Sequence, residues 1–448
     1  MEQRREHPGG QSSPKNPKGN AILLISVEFR KDTLKNGIRL ITVPMPNLQS
    51  VTAMIGVGVG SRNEEARVQG LAHFTEHMMF KGTARRPTAL QIATELDSLG
   101  ARSNASTSKE VTDYYAQAAG KNFPKIMDIL GDILLNSKFD PKEIDKERGV
   151  ILEELKMYRD DPKDWVSILS DRVTYGEHPL GREIVGTEAS LGAISHEDFL
   201  EYRDHWYRSE NIVVAVAGKI VEKEVISQVR ELLSELPKKS ISGPLPFKVQ
   251  QTHPEILVEE RKIDQANFIL SLRAYPRGHQ NFEKVRILTA ILGTGMSSRL
   301  FTEVREKRGL AYNIFASRGE YSDAGEIAIV GGVNNQRFEE ALKVVVQELG
   351  KLRDNFVSAE ELQKAKEIFR GSFVLGLETT LHACDYFLEQ ELLEGKIETP
   401  EEKLKKIDAV TAEDVRDVAK ELFVSQGLNL AVIGPFSDPE KFRPLLSL

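Results

Sequence analysis

Apolar positions fall into short runs bounded by Gly, Pro and Asn, and the first of these runs predicts a hairpin. SVEFRKDTL is followed by Lys35-Asn36-Gly37 and then IRLITVPM, and Asn-Gly is the dipeptide that tolerates the positive φ angles of a tight turn. VTAMIGVGVG (51–60) reads as a further strand with small residues on one face. TALQIATELDSLG (88–100) has the grammar of a helix: Thr88 as cap, Gln91 three residues on, apolar Ala93, Leu96 and Leu99, and Gly100 as stop. A second, more apolar helix is predicted over 123–136. The third, 140–162, carries Asp140 as cap, Pro141 in its first turn, Glu143 to complete a capping box, and Pro162 after its end.

One stretch of this pattern occurs twice. ISHEDFLEYRDHWYRSENIVVAVAGKI (194–220) and VTAEDVRDVAKELFVSQGLNLAVIGPF (410–436) both read as a capped helix followed by a buried strand ending in Gly. Ser195 and Thr411, Asp198 and Asp414, Ala215 and Ala431, and Gly218 and Gly434 are each 216 positions apart, with no gap between them. A Pro-, Lys- and Ser-rich stretch, 236–256, divides the two copies. The expected architecture is therefore α+β: two similar domains, about 21–235 and 257–448, each a mostly antiparallel sheet packed by helices and related by internal duplication.

Composition narrows the setting. The 448 residues are 40% hydrophobic and 28% charged, which excludes wholesale disorder, and the net charge of −7 draws in neither nucleic acid nor an anionic membrane. Residues 1–20 read as a disordered tail, and the apolar run Ala21 to Val27 is too short to span a bilayer and lacks a cleavage site. The single cysteine, Cys384, forms no intrachain disulfide, so a cytoplasmic home is expected.

Chemistry concentrates in GLAHFTEHMMFKGT (70–83). His73 and His77 stand at i, i+4, which puts both imidazoles on one helix face within reach of a shared Zn²⁺. Glu76 lies beside them and can take a proton from an activated water without being a ligand. A third ligand is needed, and the 140–160 helix offers it. Glu147 and Glu154, seven apart, share a face with Val150, Ile151, Met157 and Tyr158. Carboxylates on an apolar face are costly unless a cation meets them. Glu153, roughly 100° around the helix from Glu154, is the alternative.

With Glu154 placed 77 residues after His77, these segments resemble the inverted zinc motif of the M16 metallopeptidases, which include pitrilysin, insulysin and the mitochondrial processing peptidase. KNGIRL, GARSNASTSKEVTDYYAQ, HPLGREIVGT, YRSENIVVAVAGKI and EVREKRGLAYNI resemble family segments in the family's order, so the likeness covers nearly the whole chain. The resemblance implies His73, His77 and Glu154 as ligands of one zinc per chain, Glu76 as general base, and Glu147 as an acid orienting a ligand. A His₂Glu set also accepts Mn²⁺. One departure is Thr75, where many relatives carry a larger apolar residue.

The resemblance also implies substrate contacts. Asn104 lies on the strand edge to which the family adds its substrate as an extra β-strand. Arg305 and Tyr312 match the family's Arg/Tyr pair, which contacts bound peptide from the opposite half of a closed chamber. In a chain of this length, that implies a homodimer in which Arg305 and Tyr312 act in trans, with a heterodimer as the alternative. The expected activity is zinc-dependent hydrolysis of unfolded peptides. The rival expectations are a catalytically silent scaffold, like the core subunits of respiratory complexes, and a maturation protein dedicated to one peptide.

Overall fold

The computed structural model describes residues 27–241 and 243–448. The predicted tail, 1–20, and most of the apolar run that follows it lie outside the described residues. The first sheet contains β1 (Arg30–Thr33), β2 (Arg39–Pro44), β3 (Ser50–Val57), β4 (Arg102–Thr107), β5 (Thr112–Ala119) and β6 (Ile212–Gly218), in the order β1-β2-β6-β3-β5-β4. The hairpin forms as its Asn-Gly demands: Gly37 has φ +101°, and β1 pairs antiparallel with β2.

The second sheet contains β7 (Glu255–Glu260), β8 (Gln265–Ala274), β9 (Ala311–Glu320), β10 (Gly325–Asn334) and β11 (Leu428–Gly434), in the order β7-β11-β8-β10-β9. Each sheet has a single parallel pair, β2 with β6 and β7 with β11, and is antiparallel elsewhere. The duplication is visible in the register. Pro44 sits opposite Gly218 and Glu260 opposite Gly434, while Ser195 and Thr411 cap matching helices, His196–Trp206 and Ala412–Leu422.

The predicted helices form, with local differences. Ala89–Ser98 is capped by the Thr88/Gln91 box, but it buries Ile92 and Leu96 and leaves Ala93 exposed. Phe123–Asn136 buries most of its length. In Pro141–Asp160 the Asp140 side chain accepts from the Lys142 amide at 2.9 Å, whereas Glu143 pairs with Lys146 and closes no capping box. Pro162 does more than end that helix: with Asp161 as cap, it opens the next, Pro162–Tyr175.

One face of each sheet packs on helices of its own half. The other face is covered by a helix from the opposite half. Pro162–Tyr175 lays Trp165, Val166 and Leu169 on Ile269, Ala328 and Ile433 of the second sheet. Reciprocally, Thr380–Leu393 lays Cys384, Phe387 and Leu388 on Ile41, Met54 and Val213 of the first. The small residues of VTAMIGVGVG explain the fit, since a Cβ at Gly56 would meet the Leu388 side chain at 2.5 Å. A buried ion-pair network adds to the junction. Arg62, wholly enclosed, reaches Glu110 and, in the β9–β10 turn, Asp323, both at 2.7 Å, and also donates to the Leu245 carbonyl at 2.8 Å.

Candidate metal centre

The helix Leu71–Met79 is aimed by its start. Gly70 takes φ +96° and passes so close to Val185 that a Cβ would meet its carbonyl oxygen at 2.5 Å, so only glycine serves there. The buried Glu64 carboxylate accepts from the amides of Gly70 at 2.8 Å and Ala72 at 2.6 Å, satisfying donors that a helix N-terminus leaves free. Phe74, Met78 and Met79 face the core, which leaves His73, Glu76 and His77 on the side that borders a cavity. Thr75 is also fully buried, with its hydroxyl unpartnered.

His73 Nε2 and His77 Nε2 lie 3.2 Å apart, and Glu154 Oε2 stands 3.7 Å from the first and 3.8 Å from the second. Tetrahedral zinc with bonds of ~2.0–2.1 Å needs ligand atoms about 3.3–3.4 Å apart, so this triangle fits the ion with small adjustments. It is the one His/Cys/Asp/Glu group of this kind among the described residues. Glu153 is excluded by the helix phase: it is exposed and pairs with Lys156 at 2.8 Å. The phase also differs from the expected apolar face. Ile144, Ile151 and Leu155 are buried with Glu147, while Val150 and Met157 point to solvent.

The surrounding groups set protonation. His77 Nδ1 meets Glu147 Oε1 at 2.8 Å, and Lys81 Nζ meets Glu147 Oε2 at 2.5 Å. Burial works to raise the Glu147 carboxyl, but the bonds and charges of His77 and Lys81 outweigh it and hold it below the usual range. Glu147 accepts a hydrogen bond from His77 Nδ1–H, which leaves the Nε2 lone pair facing the cavity. Burial, with His77 alongside, pushes His73 down to about 3, so its imidazole stays neutral. Burial also tends to lower His77, but Glu147, Glu76 and Glu154 outweigh it and raise it, as expected of a nest of acids that favours a cation. Glu76 is raised by burial, and its Oε2 accepts from Thr107 Oγ1 at 2.6 Å.

His73, Glu76, His77 and Glu154 border a cavity of about 530 Å³, walled by the end of β4 and by the helix Pro162–Tyr175. Among the described residues, β4 is the edge of its sheet, paired only with β5, and its other edge carries no strand. Asn104 is exposed on that strand, on the face opposite Thr107. Arg305 and Tyr312 are not in this cavity. The Arg305 guanidinium lies 5.1 Å from the Tyr312 ring centre, and Tyr312, 78% exposed, borders a second cavity of about 470 Å³ that adjoins the first across Asp164, Ser167 and Asp171 of Pro162–Tyr175. Thus His73, Glu76, His77, Glu147 and Glu154 come together, while Asn104 lies at the edge of the group and the Arg/Tyr pair stands apart.

Sequence reasoning did not single out Lys81, Thr107 or Glu64. Lys81 continues the His77 face one turn further, and Thr107 shares strand parity with Ala105, so only the first two left a periodic trace. The matching helix in the second half, Phe282–Gly293, has no histidine and is almost entirely buried.

A two-half α+β chain with a His₂Glu cluster in one half is the general class that this geometry defines. Residues 39–188 match the family described as "Insulinase (Peptidase family M16)", and residues 193–369 match "Peptidase M16 inactive domain". The "Uncharacterized zinc protease YmxG" of Bacillus subtilis is 34% identical over 407 residues, covering 91% of this chain and 98% of that protein. A protease from Helicobacter pylori has the same fold, with TM-score 0.87 and 23% identity, covering 91% of this chain and 100% of that one. A chain of complex III from Candida albicans has TM-score 0.81 at 16% identity, covering 94% of this chain and 100% of its own. The chain belongs to the M16 peptidase family. Among the described residues, no helix is long and apolar enough to cross a membrane.

Proposed function

We propose that this chain is a zinc-dependent endopeptidase acting on unfolded peptides, with His73, His77 and Glu154 holding one zinc per chain and Glu76 as general base. The observation that carries the reading is the convergence of two imidazole nitrogens and one carboxylate oxygen at zinc-ligand spacing, with Glu76 bordering the same cavity. The zinc-protease names of the relatives support it. Zinc in such a site polarises a peptide carbonyl and acidifies water.

Glu76 accepts the proton of the attacking water and delivers it to the leaving amine. Its raised affinity for protons suits a group that must take one and return it. Thr107 holds one Glu76 oxygen, so the other is the oxygen that works. Glu147 keeps His77 in the tautomer with Nε2 free. An extended peptide added to the free edge of β4, beside Asn104, would bind through its main chain and run along the cavity with little demand on sequence.

Tyr312 borders a cavity that adjoins that of the metal cluster across Asp164, Ser167 and Asp171; a homodimer in which Arg305 and Tyr312 serve the partner's site rests on the family resemblance alone. The lone buried Cys384 supports a cytoplasmic setting. Likeness to a complex III chain keeps a silent scaffold as the second reading, because the fold alone does not decide activity.

The test is metal content together with cleavage of a mixture of unfolded peptides, with and without chelator, in wild type and Glu76→Gln. We expect about one zinc per chain in both proteins. Cleavage should be lost with chelator and reduced by ~10²–10⁴ in Glu76→Gln. Zinc-loaded wild type that cuts no peptide would favour the scaffold.

A further inference from the structure

The proposed zinc site is held from outside by a residue beyond the metal helix. Lys81 lies two positions past Met79, where its amide donates to the Met78 carbonyl at 3.1 Å and its side chain turns back toward the 141–160 helix. There Nζ meets Glu147 Oε2 at 2.5 Å. The other oxygen of the same carboxylate, Oε1, meets His77 Nδ1 at 2.8 Å. Glu147 is 6% exposed, so solvent does little to satisfy it, and its two oxygens are divided between one cation and one imidazole.

A carboxylate gripped at both oxygens cannot rotate about its terminal torsion, so the direction in which it accepts the hydrogen bond from His77 Nδ1 is fixed. The effect acts on His77: the ring is locked in orientation, with its Nε2 facing His73 Nε2 and Glu154. Lys81 touches neither histidine ring nitrogen nor Glu154 among the described contacts; its reach ends at Glu147.

We infer that Lys81 is a positioning residue for the metal, tuning zinc affinity through the relay Lys81–Glu147–His77. The inference rests on the zinc reading above. It assigns to Lys81 a part in metal binding rather than a part in holding two helices together, and the two roles separate experimentally.

The experiment is a double-mutant cycle on the full chain: wild type, Lys81→Met, Glu147→Gln and the double variant. Zinc dissociation constants are read by competition with a chromophoric chelator. The visible spectrum of the Co²⁺-substituted protein reports the ligand field, and thermal melts of the zinc-free proteins report folding. Each single change should weaken zinc binding by ~10–100-fold. The double variant should be no weaker than the worse single one, because both break the same relay. Lys81→Arg should recover most of the affinity, and the Co²⁺ spectrum of Lys81→Met should shift while the zinc-free melt stays within a few degrees of wild type.

Zinc affinity within twofold of wild type in Lys81→Met overturns the inference, and so do losses that multiply in the double variant. If Lys81→Met does not fold, Lys81→Gln takes its place in the cycle under the same criteria. Failure of wild type itself to bind zinc would instead refute the site reading, so the two failures are distinguishable.

Discussion

Replacing Arg62 by methionine tests whether the two halves are locked together by charge. Arg62 follows β3 in the first half, and its guanidinium has no solvent exposure. One partner, Glu110, is 8% exposed and also accepts from the Ser322 amide at 2.9 Å; another, Asp323, lies in the β9–β10 turn and is 32% exposed. Methionine fills most of the volume, so the change removes charge while leaving little cavity. Stranding one buried carboxylate costs about 3–5 kcal/mol. Asp323 adds less, since water reaches it and screens its charge.

The expected loss is therefore about 3–5 kcal/mol. At a urea slope of about 3 kcal/mol per molar or steeper, the unfolding midpoint should fall by roughly 1 M. The assay is urea unfolding followed by tryptophan fluorescence, since Trp165 lies on the exchanged helix against the second sheet and Trp206 packs in the first half. Adding Glu110→Gln to Arg62→Met should recover most of the loss, because the stranded charge is gone. A midpoint shift below about 0.2 M would refute the reasoning, and so would a double variant no more stable than Arg62→Met.

Two further expectations follow from the metal helix. Thr107→Val keeps the strand and its volume but removes the donor to Glu76; with bonds to charged groups worth about 1.5–3 kcal/mol, kcat should fall at least ~10-fold with KM and zinc content unchanged, and Thr107→Ser should recover. A rise in KM at constant kcat would place the hydroxyl's role in the strand edge instead. Burial pushes the Glu64 carboxyl from 4.5 up to about 8 despite two backbone donors. A folded value above the unfolded one means that its contribution to stability is full below about pH 4.5 and is lost as pH rises through about 8. Stability curves from pH 4 to 9 should therefore slope less in Glu64→Gln than in wild type, and equal slopes would count against the assignment.

Much of the fold and most of the metal cluster can be read from the sequence because both depend on local spacing. His73 and His77 share a face through helical geometry alone, Thr88 and Ser195 announce helix starts, and the 216-residue register of the repeat reappears in the strand pairing. The buried face of Pro141–Asp160 was less legible. Its pattern allowed Val150, Ile151 and Met157 inside together; packing against the rest of the first half kept Ile151, turned Val150 and Met157 out and buried Ile144 and Leu155. Lys81 and Thr107 left no more than a periodic trace, since a lysine beyond a helix end and a threonine in a strand are ordinary residues until a tertiary neighbour gives them a partner.

The amino-acid order alone determined that His73 and His77 share a helix face, through a period of 3.6 that needs no long-range information, and it offered Glu147, Glu153 and Glu154 as third partners without choosing among them. Tertiary structure alone decided that Trp165 and Phe387 each cover the other half's sheet, that Arg62 is enclosed rather than solvated, and that Tyr312 borders a different cavity from His73. An apolar stripe specifies that a face will be buried, not which surface buries it, because hydrophobic attraction has no address; the partner is chosen by shape and by the chain's path through space.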